Sequence, residues 1–480
     1  MKTGQIVVLV ILFSILLGLL AIVVISPMLT DRFEDEVATV SDRPQTVSEE
    51  PAYIEEPSAV MPAEPDEGEE PPEEDTESEE VPKEEPLPET QGEQGEDGVV
   101  TLGAIGDIMI MPKQLSAAFN PNNNAYDFSK SFTAVKGMFS SVDLMCGNYE
   151  GTMAGAKYPY SNGKTDSEGR IKFNAPDSLA LDLKNAGFDV ITTANNHAGD
   201  YGAEGIANTL DTIRAAGMLQ TGTYKESSDR FVPVIAERNG IKVGILSATG
   251  VINGNSGLSS SDRRKLFSRL QDLDDIQGQI DAYREAGADF IVMFAHWGKE
   301  YDSRAAKSST SYAKRLLSMG VDLIIGAHPH VVQPFEKITV KRDGTSYTGL
   351  VAYSVGNFIA NMSGDSQYGM YLQIMLKRNE EGIVVLDKAE YMPLLCFSKD
   401  IRVPIEGAEP ELNENGEMEI PALTVTLHEV VPALSKPSLI KPYSTLDGRE
   451  IKLIENARSH VIGVCGEDIV PVMEDSCWIS

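Results

Sequence analysis

Ten polar residues of this chain stand where apolar runs stop: Asp107, Asn148, Glu150, Asn195, Asn196, His197, Asp200, His296, His328 and His330. Four of the six histidines are among them. Imidazole together with carboxylate and amide oxygen suits manganese, zinc or iron better than magnesium or calcium alone. The set is larger than one four-coordinate ion requires. It suits a pair of ions about 3.5–4 Å apart, which clamps a phosphoryl group and lowers the pKa of an attacking water.

The elements that must position these residues repeat. Met319-Gly320-Val321-Asp322 opens an apolar run of strand length that ends at His328-Pro329-His330. Ala186-Gly187-Phe188-Asp189 leads in the same way to Asn195-Asn196-His197, and Ala286-Gly287-Ala288-Asp289 leads to His296-Trp297-Gly298. A looser copy, Val142-Asp143-Leu144, leads to Asn148-Tyr149-Glu150, and the run from Val99 stops at Gly106-Asp107. A helix closed by glycine, then a strand, then a ligand-type residue is a unit that places side chains at the C-terminal edge of an open α/β sheet, where ligands bind. One sheet is expected to deliver them all. The aspartates before the strands fall on the opposite edge and read as turn or helix-end residues. A proline at the end of a strand breaks its alternation, so both His328 and His330 are expected to turn inward.

Helices are expected over 131–139, 176–186, 203–216, 272–286 and 309–319, hairpins at Asn239-Gly240 and Asp343-Gly344, and loops over 151–172 and 251–265. From Tyr371 onward the pattern turns to β. Near-continuous apolar strands alternating with helices predict an α/β sandwich with mixed sheets, covered on both faces. His428 and His460 lie outside the pattern and read as structural. The four cysteines have no CxxC spacing, which excludes a zinc ribbon.

The N-terminal part is of another kind. Residues 6–29 are 24 residues without a charge, preceded by Lys2 and followed by Asp31, Glu34, Asp35 and Glu36. Length and flanking charge predict a transmembrane signal anchor with a short cytoplasmic tail at 1–5 and the rest of the chain outside the cell. Residues 30–98 read as a disordered stalk. Of the formal net charge of −33, residues 33–98 carry −23 and residues 99–480 carry −11. That balance argues against a nucleic-acid partner.

Six motifs then carry a resemblance. Gly106-Asp107-Ile108-Met109, Asn148-Tyr149-Glu150, Asn195 to Gly202, His296 to Tyr301, Gly326 to Gln333 and Tyr353 to Phe358 resemble, in order and spacing, the CapA family of poly-γ-glutamate capsule biosynthesis proteins, related to the calcineurin-like metallophosphoesterases. The resemblance covers roughly 99–375, with 376–480 as a β-rich extension of the same domain. It implies a metallophosphoesterase-like sandwich and a site for one or two divalent ions (Mn, Zn or Fe). Asp107, Asn148, Glu150, Asn196, His296, His328 and His330 would hold them. His197 would be the acid that protonates the leaving group, with Asp200 beside it as a catalytic partner, and Asn195, Trp297, Glu300, Gln333 and Asn357 would contact substrate. Two departures stand out: Met109 occupies the place of a histidine, and Asn148 the place of a bridging aspartate.

Two functions follow. One is a membrane-anchored, extracellular metal-dependent hydrolase or transferase acting on a phosphoester or on an anionic capsule or cell-envelope polymer. The other is a non-catalytic component that binds such a polymer and assembles with other membrane subunits of a capsule synthesis complex. Lys157, Lys164, Arg170 and Lys172 read as part of a solvated loop, with a basic patch for a polyanion as the alternative.

Overall fold

The computed structural model of the chain describes residues 98–474, apart from 165–169, 255–256, 413–417, 441–445 and 468. The expected cytoplasmic tail, membrane span and acidic stalk lie outside the described residues. Among the described residues no helix is long and apolar enough to cross a membrane.

Fourteen strands carry the architecture. They are β1 (Val99–Ile108), β2 (Leu144–Tyr149), β3 (Val190–Thr192), β4 (Leu219–Thr221), β5 (Ile235–Arg238), β6 (Ile241–Thr249), β7 (Phe290–His296), β8 (Leu323–Ala327), β9 (Val332–Arg342), β10 (Thr345–Val355), β11 (Asn357–Ile359), β12 (Tyr368–Arg378), β13 (Val384–Pro404) and β14 (Ala422–Pro432). They form two mixed sheets. One has the order β14-β13-β12-β1-β2-β3-β4, with β11 pairing to the end of β1; the other has the order β9-β10-β8-β7-β6-β5. Strands β1 to β4 run parallel, as do β6, β7, β8 and β10, while β12, β13 and β14 are antiparallel. The expectation of a single ligand-bearing sheet is therefore corrected. A buried parallel strand has the same apolar pattern whichever sheet it joins, so the sequence does not separate the two.

Alternation along the strands builds the layers. Leu102, Ala104, Cys146, Ile245, Val292, Phe294 and Ile325 meet in one core between the sheets. Their strand neighbours Ile291, Met293, Ala295 and Ile324 face the other way, into a second core with Ile280, Tyr283, Leu316 and Leu317. Those last four belong to helices α5 (Leu273–Glu285) and α6 (Lys307–Met319). On the far face of the larger sheet, Met145 and Ile191 pack with Leu179 and Leu183 of α2 (Ser178–Ala186), and Ile213 of α3 (Gly202–Ala215) joins the same core. A sheet with both faces covered requires this period-2 division of apolar residues.

The repeated aspartates explain why the strand ends line up. Asp143 Oδ2 accepts the Thr101 N–H at 2.7 Å, Asp189 Oδ2 that of Met145 at 3.0 Å, Asp289 Oδ2 that of Lys242 at 2.8 Å and Asp322 Oδ2 that of Ile291 at 2.8 Å. In each case the aspartate's own N–H donates to the carbonyl of the same residue. Each two-sided clamp fixes one strand's start against its parallel neighbour, so the opposite ends also fall in register. Asp107 stands beside Asn148, and Asn148 beside Thr192; Thr249 stands beside His296, and His296 beside Ala327. Gly187, Gly287 and Gly320 close the preceding helices with φ of +115°, +87° and +120°, a conformation that favours glycine.

Four further elements depart from expectation. The stretch 131–139 forms a 3-10 turn (Ser129–Phe132) and a short helix (Lys136–Phe139), although its apolar residues are buried. Helix α1 (Pro112–Ala118) was not foreseen. The loop 251–265 contains helix α4 (Ser260–Leu266), capped by Ser259. The β-rich extension ends in helix α7 (Gly448–Cys465), whose N-terminal N–H groups are capped by Asp447 in a reciprocal box with Glu450. Val461 and Cys465 of α7 enter the core between the sheets, and Ile454 and Ala457 the core outside the larger one.

Candidate metal centre

The two sheets meet at their C-terminal edges. Asp107, at the end of β1, accepts the His328 N–H on Oδ2 at 3.1 Å, which ties the larger sheet to the turn after β8. His296, the last residue of β7, has Nε2 2.7 Å from Asn196 Oδ1 on the other side. Gly326, two residues before His328, leaves room for the Tyr353 carbonyl: a Cβ there would lie 1.9 Å from that oxygen. His328 and His330 have φ of +93° and +57°. Left-handed backbone on both sides of Pro329 puts both imidazoles on the site side of the chain. Non-glycine residues in that region are strained, and such strain concentrates at functional sites.

The result is a compact set of two carboxylates and three imidazoles, all almost fully buried. Asp107 Oδ2 is 3.4 Å from His330 Nδ1, and Glu150 Oε1 is 3.8 Å from both His296 Nε2 and His330 Nε2. Three groups have ligand atoms within 4.8 Å of one another: Glu150 with His296 and His328, Asp107 with Glu150 and His330, and Glu300 with His328 and His330. Glu150 belongs to two of them. Neither of its oxygens takes a hydrogen bond, and neither does His328 Nδ1. Buried polar atoms without partners are costly, and here they converge on one point. A divalent first-row ion would satisfy them, so the residues present fit such an ion.

The electrostatics are those of carboxylates and imidazoles packed together in a buried cluster. Burial alone would raise Asp107, but hydrogen bonding to His330, the positive charges of His296 and His330 and the Asn148 amide hold it at about 2. Burial and the Asp107 charge push Glu150 well up. Burial pushes His296 down to about 3 and His328 well below its ordinary value. Burial would also lower His330, but the Glu150 and Asp107 carboxylates outweigh it and carry it up to about 10. The metal-free cluster therefore keeps a proton on His330 at neutral pH, and a metal must displace it. Metal binding near pH 7.5 should release at least one proton, from His330 and from Glu150, both of which are pushed up, and affinity should rise with pH. Calorimetry in buffers of different ionisation enthalpy measures this; affinity independent of pH between 6 and 9 would contradict it.

The remaining expected residues divide into those that face the cluster and those that hold it. Asn196 faces it through Oδ1. Asn148 differs from expectation: Thr192 Oγ1 donates to its Oδ1 at 3.2 Å, and its Nδ2 donates to Asp107 Oδ1 at 2.7 Å, so it orients Asp107 instead of offering an oxygen. Met109 is buried against Phe173 and Ala360 in an apolar cluster. His197 is 12% exposed, lies against the Phe173 ring, and has Nδ1 2.8 Å from Asp200 Oδ2. That carboxylate oxygen also accepts the Phe173 N–H at 2.8 Å. Asp200 is fully buried behind His197, which makes it a positioning residue.

Four of the five residues expected to contact substrate make hydrogen bonds within the fold. Asn195 donates to the Tyr149 carbonyl at 2.6 Å and accepts the His197 N–H at 3.1 Å, which shapes the 195–197 turn. Trp297 is buried in the core outside the smaller sheet and donates Nε1–H to the Tyr353 carbonyl at 3.0 Å. Gln333 donates to the carbonyls of Asp302 and Arg304. Asn357 Oδ1 lies 3.0 Å from His330 Nδ1 and fixes that ring. The physical reason is shared: polar groups at strand ends satisfy the irregular backbone beside them. Only Glu300 is exposed. The sequence reading missed Thr192, and it missed Asn253, whose Nδ2 lies 3.4 Å from His197 Nε2. Thr192 carries a weak signal, since it ends β3 level with Asn148; Asn253 carries none.

The fold is a two-sheet α/β sandwich with a buried carboxylate–imidazole cluster at its strand ends. Within it, residues 101–362 match the family of bacterial capsule synthesis proteins PGA_cap, and the chain belongs to that family. It is 28% identical over 268 residues to a capsule biosynthesis protein CapA of Bacillus anthracis, covering 55% of this chain and 60% of that one, less than two thirds of the relative's length. It is 27% identical over 289 residues to a PGA biosynthesis protein CapA of Bacillus subtilis, covering 60% of this chain and 70% of that one. Among solved structures, the calcineurin-like phosphoesterase YfkN from Bacillus subtilis aligns at 14% identity with a TM-score of 0.38, covering 62% of this chain and 90% of that one.

Proposed function

We propose that this chain takes part in capsular poly-γ-glutamate synthesis or export as a metal-dependent hydrolase of metallophosphoesterase type. The observation that carries the reading is the juxtaposition of the Glu150-centred ligand set with the His197–Asp200 pair at its accessible side. Asp107, Glu150, Asn196, His296, His328 and His330 would hold the metal, which supplies Lewis-acid activation of a phosphoryl or acyl oxygen and of water. Asp200 holds the Nδ1 side of His197, which leaves Nε2, with the Asn253 amide 3.4 Å away, as the nitrogen that would give a proton to a leaving group. Asn148 and the His328 N–H keep the Asp107 carboxylate fixed, and Asn357 does the same for the His330 ring.

The family and the names of the two relatives support the capsule role. Anchoring through residues 6–29, with the site outside the cell, rests on the sequence alone. Basic groups for a polyanion stand on the His197 side: Arg170 lies against Gly254, next to Asn253, and Lys172 lies 5.4 Å over the Tyr201 ring. Lys157 pairs with Glu204 and contributes less. A second reading, a polymer-binding assembly component without turnover, is favoured by Met109, which places apolar packing where a further ligand would stand.

The test is turnover by the full chain loaded with manganese or zinc, on bis(4-nitrophenyl) phosphate and on poly-γ-glutamate. Hydrolysis of either, abolished by chelation and restored by metal, is the expected outcome. Retained metal with no turnover on both would overturn the hydrolase and leave the assembly role.

A further inference from the structure

The loop from Trp297 to Ala306 lies over the His328-Pro329-His330 turn, and one residue in it has no structural task. Tyr301 has φ of +61°, a strained conformation for a bulky side chain. The strain is held in place from both sides. The Tyr301 N–H donates to the Pro329 carbonyl at 2.8 Å, and the next residue's carbonyl accepts from Gln333 Nε2 at 2.6 Å. Despite this anchoring the side chain is 56% exposed. Its ring centroid stands 5.9 Å from that of His330, and among the described residues its hydroxyl has no hydrogen-bond partner. The neighbouring Glu300 carboxylate comes within 4.8 Å of the ligand atoms of both His328 and His330. A tyrosine packed for stability would bury its ring and satisfy its hydroxyl. This one is held in a costly conformation at the open side of the cluster, with a free donor.

We propose that Tyr301 is a substrate-positioning residue, which donates its phenol O–H to an anionic oxygen of the substrate at the His330 side of the site. The inference rests on the metal-centre reading above, because a free anion beside Glu300 and Glu150 would be repelled, whereas one drawn by a cation would not. The oxyanion is a phosphoryl or a carboxylate group; one donor serves both.

The experiment uses the full chain loaded with manganese, with inorganic phosphate and a γ-linked glutamate trimer as probes in calorimetry. Tyr301→Phe keeps the ring and removes the donor. It should keep its metal and melting temperature and weaken at least one probe roughly tenfold or more, the worth of a hydrogen bond to a charged group. A loss confined to phosphate assigns a phosphoryl substrate, and a loss confined to the trimer assigns a carboxylate. Tyr301→Gly, which accepts a positive φ without strain, should show the same weakening with an equal or higher melting temperature. If Tyr301→Phe binds both probes as tightly as the wild type with its metal in place, Tyr301 has no such role and the metal-centre reading stands. If the wild-type protein takes up manganese but binds neither probe, the Tyr301 assignment fails; if it takes up no metal at all, the metal-centre reading fails with it.

Discussion

Replacing Glu150 by glutamine is expected to stabilise the chelator-treated protein and to abolish most of its stabilisation by metal. Glu150 is fully buried, its oxygens take no hydrogen bond, and its carboxyl is pushed well up by burial and by Asp107. In the metal-free protein it is a buried acid without a partner, at a cost of several kcal/mol. A neutral amide of the same shape removes part of that cost. With metal present the balance reverses. Glu150 belongs to two of the three ligand groups, as His328 and His330 also do, and its loss weakens both of its groups. Partners one shell out typically cost 10–100-fold in affinity, and a shared ligand should cost more than about 100-fold. An ion at 1,000 times its dissociation constant stabilises by about 4 kcal/mol, most of which should vanish at the same metal concentration. Thermal melts of both proteins with chelator and with manganese measure the two effects. An unchanged metal-dependent shift in Glu150→Gln would remove this residue from the centre.

The second large effect concerns the proton. His197→Ala should lower turnover of an activated phosphodiester by about 10²–10⁴-fold, the usual worth of a positioned general acid. Metal content should not change, because His197 is in none of the three ligand groups. Asp200→Asn should reproduce roughly 10²-fold of the loss, since an amide no longer fixes the Nδ1–H tautomer through the 2.8 Å contact. The loss in Asp200→Asn should fall on kcat and shift the pH profile, where a purely structural defect would lower the melting temperature instead. Turnover unaffected in His197→Ala would assign the proton to another group.

These expectations depend on features of unequal visibility in the sequence. The glycine-aspartate unit was legible because it repeats, and the four clamps show that the repeat has a backbone cause: one carboxylate and one N–H per strand set a common register. The convergence of Asp107, Glu150, His296, His328 and His330 was legible for the same reason, since residues at the ends of registered strands come together. The division into two sheets was not, because parallel buried strands look alike. The internal hydrogen bonds of Asn195, Trp297, Gln333 and Asn357 were not legible, because a polar group at a strand end has the same sequence signature whether it faces a ligand or another part of the fold. Helix α7 was legible in principle: Asp447 three residues before Glu450 is a capping box. Tyr301 was visible only as a motif letter, and its left-handed backbone is set by contacts with Pro329 on another strand's turn.

The central claim is that the buried carboxylate–imidazole cluster holds metal. Elemental analysis of the full chain, purified from metal-replete medium without chelators, tests it most directly. Roughly one or two equivalents of manganese, zinc or iron per chain are expected, with the content falling by at least half in His330→Ala. A wild-type protein that carries none of these metals under those conditions, and takes up none on dialysis against them, would contradict the account.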